Sequence, residues 1–150
     1  MKLIPAIVMF WLFVASTAIA QQSLILKIKE GSDQPNYKTE HLYLLEIKNT
    51  TRSNASFTIK TSNVPCEEFK RNQQIELSHS TLNKGSRRQF SNYNLQPNES
   101  FEFYVKLTRP LNAAKNSWNC TKVIALDDNG KPISNTITIT SLVPDSKDQH

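Results

Sequence analysis

From Leu95 to Pro110 the chain reads Leu-Gln-Pro-Asn-Glu-Ser-Phe-Glu-Phe-Tyr-Val-Lys-Leu-Thr-Arg-Pro, a polar turn followed by strict alternation. Phe101, Phe103, Val105 and Leu107 fall on one face, Glu102, Tyr104 and Lys106 on the other, and Pro110 closes the run. A period of two with one apolar face predicts a half-buried strand of an antiparallel sheet. The same period recurs along the chain. In Ser23 to Lys29, Leu24, Leu26 and Ile28 oppose Ile25, Lys27 and Lys29; in His41 to Lys48, Tyr43, Leu45 and Ile47 oppose Leu42, Leu44, Glu46 and Lys48. Ala55 to Thr61 turns Phe57 and Ile59 inward, and Glu30 to Lys38 reads as a loop. Trp118 to Asp127 and Ile133 to Val143 form a predicted hairpin, with a type I′ turn at Asn129-Gly130, where both central residues take positive φ.

Between Asn63 and Asn94 the alternation fades. A connection of about thirty residues carries structure of its own. Gln74 to Leu77 is expected as a short edge strand, and Leu82 to Tyr93 is expected to hold one more through Phe90. About seven strands with regularly spaced turn signals predict an all-β fold, an immunoglobulin-like antiparallel β-sandwich.

Residues 1–20 stand apart. Lys2, an apolar run from Leu3 to Val14 and Ala18-Ile19-Ala20 before Gln21 have the order of a cleaved secretory signal peptide. The expected organisation is signal peptide 1–20, sandwich 21–144 and a charged, frayed tail 145–150, with no membrane span after cleavage and a secreted or periplasmic destination. One of the 18 basic residues, Lys2, lies in the leader, leaving 17 against 13 acids. So mild an excess, spread along the chain, favours solubility and argues against nucleic acid as a partner.

The run Leu95 to Leu107, its proline-ended strand, Lys48-Asn49-Thr50-Thr51 and Trp118-Asn119-Cys120-Thr121 together resemble the bacterial immunoglobulin-like modules of exported proteins, the fibronectin type III-like or cell-adhesion-related domains. The resemblance spans roughly Leu42 to Ile139, with Asn98 where the family prefers glycine. It implies a sandwich fold and a bacterial source, in which the sequons at Asn49, Asn54, Asn98 and Asn119 are accidents of an asparagine-rich chain. In that topology the third strand and the Trp118 strand are neighbours, which brings Cys66 beside Cys120. Two cysteines in an exported chain form one disulfide.

Few residues point to chemistry. His41, His79 and His150 are scattered, and Asp127 and Asp128 are accounted for by their turn. Glu67 and Glu68 would act as a hydrolytic pair only in a cleft. No cofactor and no metal are expected, and the chain reads as a non-enzyme. Two surface features remain. Ile25, Leu42, Leu44 and Tyr104, ringed by Lys27, Glu46, Lys48, Glu102 and Lys106, form a candidate surface for a protein or cell-envelope partner. Lys84, Arg87 and Arg88 are a candidate anion contact. Three readings follow: an exported binding or adhesion module; a carbohydrate-associated module or small envelope hydrolase, marked by exposed aromatics around Trp118, Tyr93 and Tyr104; or a chaperone-like strand-edge binder.

Overall fold

The computed structural model describes residues 22–144; the expected signal peptide and the expected tail lie outside them. Eight strands run through the described residues: β1 (Leu24–Ser32), β2 (Glu40–Asn49), β3 (Ala55–Val64), β4 (Ser78–Asn83), β5 (Tyr93–Leu95), β6 (Ser100–Thr108), β7 (Ser117–Leu126) and β8 (Ile137–Val143). They form two four-stranded antiparallel sheets, β1-β2-β6-β4 and β5-β3-β7-β8. This is the constant-type immunoglobulin arrangement, with the three-residue β5 added to the edge of the second sheet.

The core is the alternation made solid. Leu24, Leu26, Leu45, Ile47, Phe103, Val105 and Leu107 from the first sheet meet Phe57, Ile59, Val123, Ala125 and Ile139 from the second. Phe101 and Phe103 extend into an aromatic cluster in which Phe90 meets both edge-on and Tyr93 stacks on Phe101 at 3.8 Å. Ile28 faces Leu45 across the ladder but is 43% exposed, so β1 seals the sandwich only as far as Leu26. There the Asn135 side chain bonds both the amide and the carbonyl of Leu26.

Four local expectations change. β1 continues to Ser32 through two bulges, at residues that read as loop. Gln74 to Leu77 is no strand: Gln74 makes one isolated bridge to Trp118, and the strand proper is β4, beginning at Ser78. The second strand expected there lies at Tyr93–Leu95 rather than through Phe90. At the β7–β8 corner only Gly130 takes positive φ, 77°, so the turn is not type I′. The Gly130 amide bonds the Asp127 carbonyl while the Asp127 carboxylate accepts from the Asn129 and Lys131 amides. Those carboxylate bonds keep Asn129 at negative φ, and at this corner glycine alone takes the left-handed position.

The disulfide is present. β3 and β7 pair with Val64 opposite Cys120, and Cys66 and Cys120 are bridged with their Cα atoms 5.4 Å apart. Side-chain amides then fasten the following loop. Gln74 bonds the Cys66 amide and carbonyl and the Phe69 carbonyl, and Phe69 stacks on Trp118 at 4.2 Å. Asn63 bonds Leu77 twice, and the Asn119 side chain bonds Asn63 and the Ile75 carbonyl. Two of the sequons are thus buried structural asparagines: Asn119, and Asn49, whose amide donates to the Ser53, Leu95 and Gln96 carbonyls. Asn54 and Asn98 are exposed, and Asn98 has φ 62°, the left-handed turn position for which the resembling family uses glycine.

Candidate functional site

Alternation that buries one side of β1-β2-β6-β4 leaves the other side outward, and the ladder register sets the order of its residues. Leu42 lies opposite Lys106, Leu44 opposite Tyr104, and Glu46 opposite Glu102. Across β6, Leu82 faces Tyr104; across β1, Ile25 faces Lys48 and Lys27 faces Glu46.

The expected apolar patch does not assemble from Ile25, Leu42, Leu44 and Tyr104. Ile25 is 47% exposed, but Leu42 lies six residues along β2 from the position opposite Ile25, about 20 Å at the usual rise per residue. Between them runs a belt of charge. Glu46 and Glu102 are directly opposed, and lysines bridge them: Lys27 to Glu46 at 2.7 Å, Lys84 to Glu102, and Lys29 to both. The Lys27 hydrogen bond is the main cause holding the Glu46 carboxyl below its ordinary value. Leu44 lies outside the core cluster yet is 3% exposed, in a row between Glu30 and Tyr104. Tyr104 is half-buried, with the Arg87 guanidinium 4.2 Å above its ring.

Two of the three expected anion contacts are engaged within the chain. Lys84 is bound to Glu102, which raises its pKa. Arg87, at φ 56°, is stacked on Tyr104, while Arg88 closes the β4 turn through its backbone and is exposed.

Beyond the charge belt the face opens into a trough of about 550 Å³, which brings together Leu42 and Lys106 of the expected partner surface and Arg87 of the expected anion contact. Asp33, Gln34, Lys38, Thr39 and Glu40 form one side, Arg87 the other, and Leu42 and Leu82 supply apolar surface beside Lys106. Its first wall is the β1–β2 loop, which is tied down at several points. Asp33 accepts from the Leu42 amide, and Glu40 pairs with Lys106 at 2.6 Å. Beneath, His41 is 1% exposed, with Nδ1 2.6 Å from Ser32 Oγ and Nε2 2.8 Å from the Lys38 carbonyl. Facing a carbonyl, Nε2 carries the proton, and Nδ1 meets the Ser32 hydroxyl, which also reaches the Gln34 carbonyl at 2.9 Å, so one ring holds both ends of the loop.

Burial pushes the His41 pKa down, the Lys38 carbonyl opposing and Arg109 adding to it; burial alone lowers that of His79, whose buried Nε2 has no partner among the described residues. Both folded values lie below the ordinary 6.5, so near and below that pH the unfolded chain binds more protons. The stability held by these two rings is complete above 6.5 and is lost as pH falls through the folded values. The expected slope is at most about 1.4 kcal/mol per pH unit for each ring. Urea unfolding from pH 8 to pH 5 should show this fall, and His79→Gln should flatten it. An unchanged slope in that variant would remove His79 from the account.

Elsewhere, Glu67 and Glu68 do line a cleft, of about 400 Å³, beside the disulfide and Thr138 and Thr140. The aromatics do not make a platform: Trp118 lies on Phe69, Tyr93 on Phe101, and Tyr104 under Arg87. Among the described residues, no group of three or more acidic, histidine or cysteine side chains is placed to hold a metal, and no helix is long and apolar enough to cross a membrane.

No family model matches the chain, and no curated protein matches it. Solved structures do. The crystal structure of a FixG-related protein from Vibrio parahaemolyticus superposes with a TM-score of 0.52 at 11% identity, over 81% of this chain and 96% of that one. A family 123 glycoside hydrolase from Clostridium perfringens aligns with a TM-score of 0.45 at 13% identity, over 70% of this chain and 21% of that one. The ASH/PapD-like domain 7 of human CEP192 gives 0.43 at 8% identity, over 95% of this chain and all of that one. At such identities the first likeness speaks to the fold, an immunoglobulin-like sandwich, and leaves function to the site.

Proposed function

We propose that this chain is a non-catalytic binding module of the exported, bacterial immunoglobulin-like or fibronectin type III-like kind. It recognises a protein or envelope partner through the outer face of its first sheet, at the trough between the β1–β2 loop and Arg87. The trough itself carries this reading. It combines apolar surface at Leu42 and Leu82 with fixed charges of both signs, and its wall is fastened by His41 and Asp33 before any partner arrives. A preorganised concavity that sets fixed polar and charged groups beside a small apolar surface is suited to recognition. The disulfide supports delivery to an oxidising compartment. Strand-edge binding is less well supported, since β1 is bulged twice and carries Lys27 and Lys29.

Affinity capture from the native envelope, with Leu42→Glu and Arg87→Glu alongside the parent, tests the assignment. Each variant should keep its β-rich circular dichroism and lose about 2 kcal/mol of binding, about thirtyfold in affinity. Folded variants that capture the same proteins at the same level would overturn it. Leu44 is the wrong probe, because a charge at that buried position reports on folding.

A further inference from the structure

Arg87 stands where the backbone would suit a glycine. Its φ is 56°, in the left-handed region that a side chain disfavours, and the hydrogen bonds of the β4 turn keep it there. The Asn83 side chain accepts from the Gly85 and Ser86 amides, the Arg87 amide donates to the Asn83 carbonyl, and the Asn83 amide donates to the Arg88 carbonyl. A side chain carried on a strained backbone position is a candidate for use.

The guanidinium is positioned as firmly as the backbone. It rests over the Tyr104 ring, 4.2 Å from the centroid, and the ladder sets Tyr104 between Leu44 and Leu82. Among the described residues it forms no ion pair and no side-chain hydrogen bond, so its planar fork of N–H donors is open. The acids of the trough, Asp33 and Glu40, stand on the opposite wall and bind the Leu42 amide and Lys106, while Glu102 holds Lys84. A fixed guanidinium selects an oxyanion that takes two parallel N–H donors, and Leu42 and Leu82 ask for an apolar group next to it. A phosphate fits the same donors, but its second charge would face Asp33 and Glu40 across the trough, and a glycan phosphate offers the two leucines no apolar surface.

On the reading of the trough as the recognition site, we propose that what it recognises is an acidic side chain of a protein partner with an apolar residue beside it, the carboxylate paired with Arg87 and the apolar side chain laid on Leu42 and Leu82. The isotopically labelled protein is titrated with N-acetyl-leucyl-glutamyl-leucinamide and with its glutaminyl and phosphoseryl analogues, following the backbone amides and the Arg87 Nε–H. The glutamyl peptide should saturate shifts at Leu42, Leu82 and Arg87. The glutaminyl peptide should bind at least about tenfold more weakly, as expected when a charge-assisted contact is lost, and the phosphoseryl peptide should also bind more weakly than the glutamyl one. Arg87→Lys keeps the charge without the fork and should weaken the glutamyl peptide about fivefold. Arg87→Gly suits the left-handed backbone; it should melt as the parent does and lose the preference for the glutamyl over the glutaminyl peptide. No saturable shift in the trough, equal affinity for the glutaminyl peptide, tighter binding of the phosphoseryl peptide, or a preference that survives in Arg87→Gly would each overturn the proposal. The two failures are separable. Envelope capture lost in Leu42→Glu but kept in Arg87→Gly leaves the trough as the site and removes the carboxylate, whereas capture kept in Leu42→Glu removes both.

Discussion

Replacing both bridged cysteines, Cys66→Ala with Cys120→Ala, should lower unfolding stability by about 4 kcal/mol, the chain-entropy value for a loop of this length. The sulfurs join positions 54 residues apart, and the bridge keeps β4, β5 and β6 within one closed loop when the chain unfolds. The folded geometry around it does not depend on the sulfurs alone. Gln74 holds the Cys66 backbone from both sides, Phe69 lies on Trp118, and Asn63 and Asn119 fasten Ile75 and Leu77. The variant should therefore keep its spectrum while its melting temperature falls by roughly 12–20 °C. Against a total of about 5–15 kcal/mol for an ordinary domain, that loss decides whether the protein survives at its working temperature. Urea unfolding of the variant, with reduced parent protein beside it, gives the number. A loss below about 1 kcal/mol would show that the unfolded chain is already constrained there, and the entropic account would fail.

What could be read from the sequence follows from how local each feature is. The alternation of Phe101 to Leu107 and of His41 to Lys48 placed those residues on the correct faces, because burying one side of a strand imposes a period of two on its own residues. The cysteine pairing followed from strand order. β4 was misplaced because Ser78-His79-Ser80-Thr81 carries no apolar period; it is a strand only because β6 lies beside it, and that pairing runs from Ser78 opposite Thr108 to Asn83 opposite Phe103, far apart in sequence. The turn at Asp127 was misjudged for the opposite reason. The Asn-Gly pair is a strong local signal, yet the Asp127 carboxylate two residues earlier takes the Asn129 amide and selects another turn. The partner patch failed at a third level. Alternation gives the face on which Leu44 sits, but only the cross-strand register shows that it lies between Glu30 and Tyr104 and that the Glu46–Glu102 belt separates Ile25 from Leu42. The trough is built from segments distant in sequence: Leu42, Lys106 and Arg87 were each legible as candidates, but nothing local says that they meet.

Phe103→Ala should cost about 3–5 kcal/mol, in the range for deleting a buried aromatic ring. Phe103 is fully buried at the centre of β6, opposite Leu45 on β2 and Asn83 on β4. Phe90 meets its ring edge-on at 5.7 Å, and Phe101 lies at 6.1 Å, so truncation removes both aromatic contacts and opens a cavity between the sheets. The next residue supplies the control. Tyr104 has the same backbone pairing on the same strand but points to the outer face, where its ring supports Arg87. Tyr104→Ala forfeits that contact and some half-buried surface, about 1 kcal/mol in all. Both variants are compared by urea unfolding at pH 7.5, above the histidine window, so that protonation does not blur the difference. Adjacent residues that differ by about 2–4 kcal/mol would show that the face, rather than the strand, sets the energetics of β6. Equal losses would mean that Phe90 moves in to fill the cavity or that the outer face is itself a packed layer, and the two-sheet core would have to be redrawn.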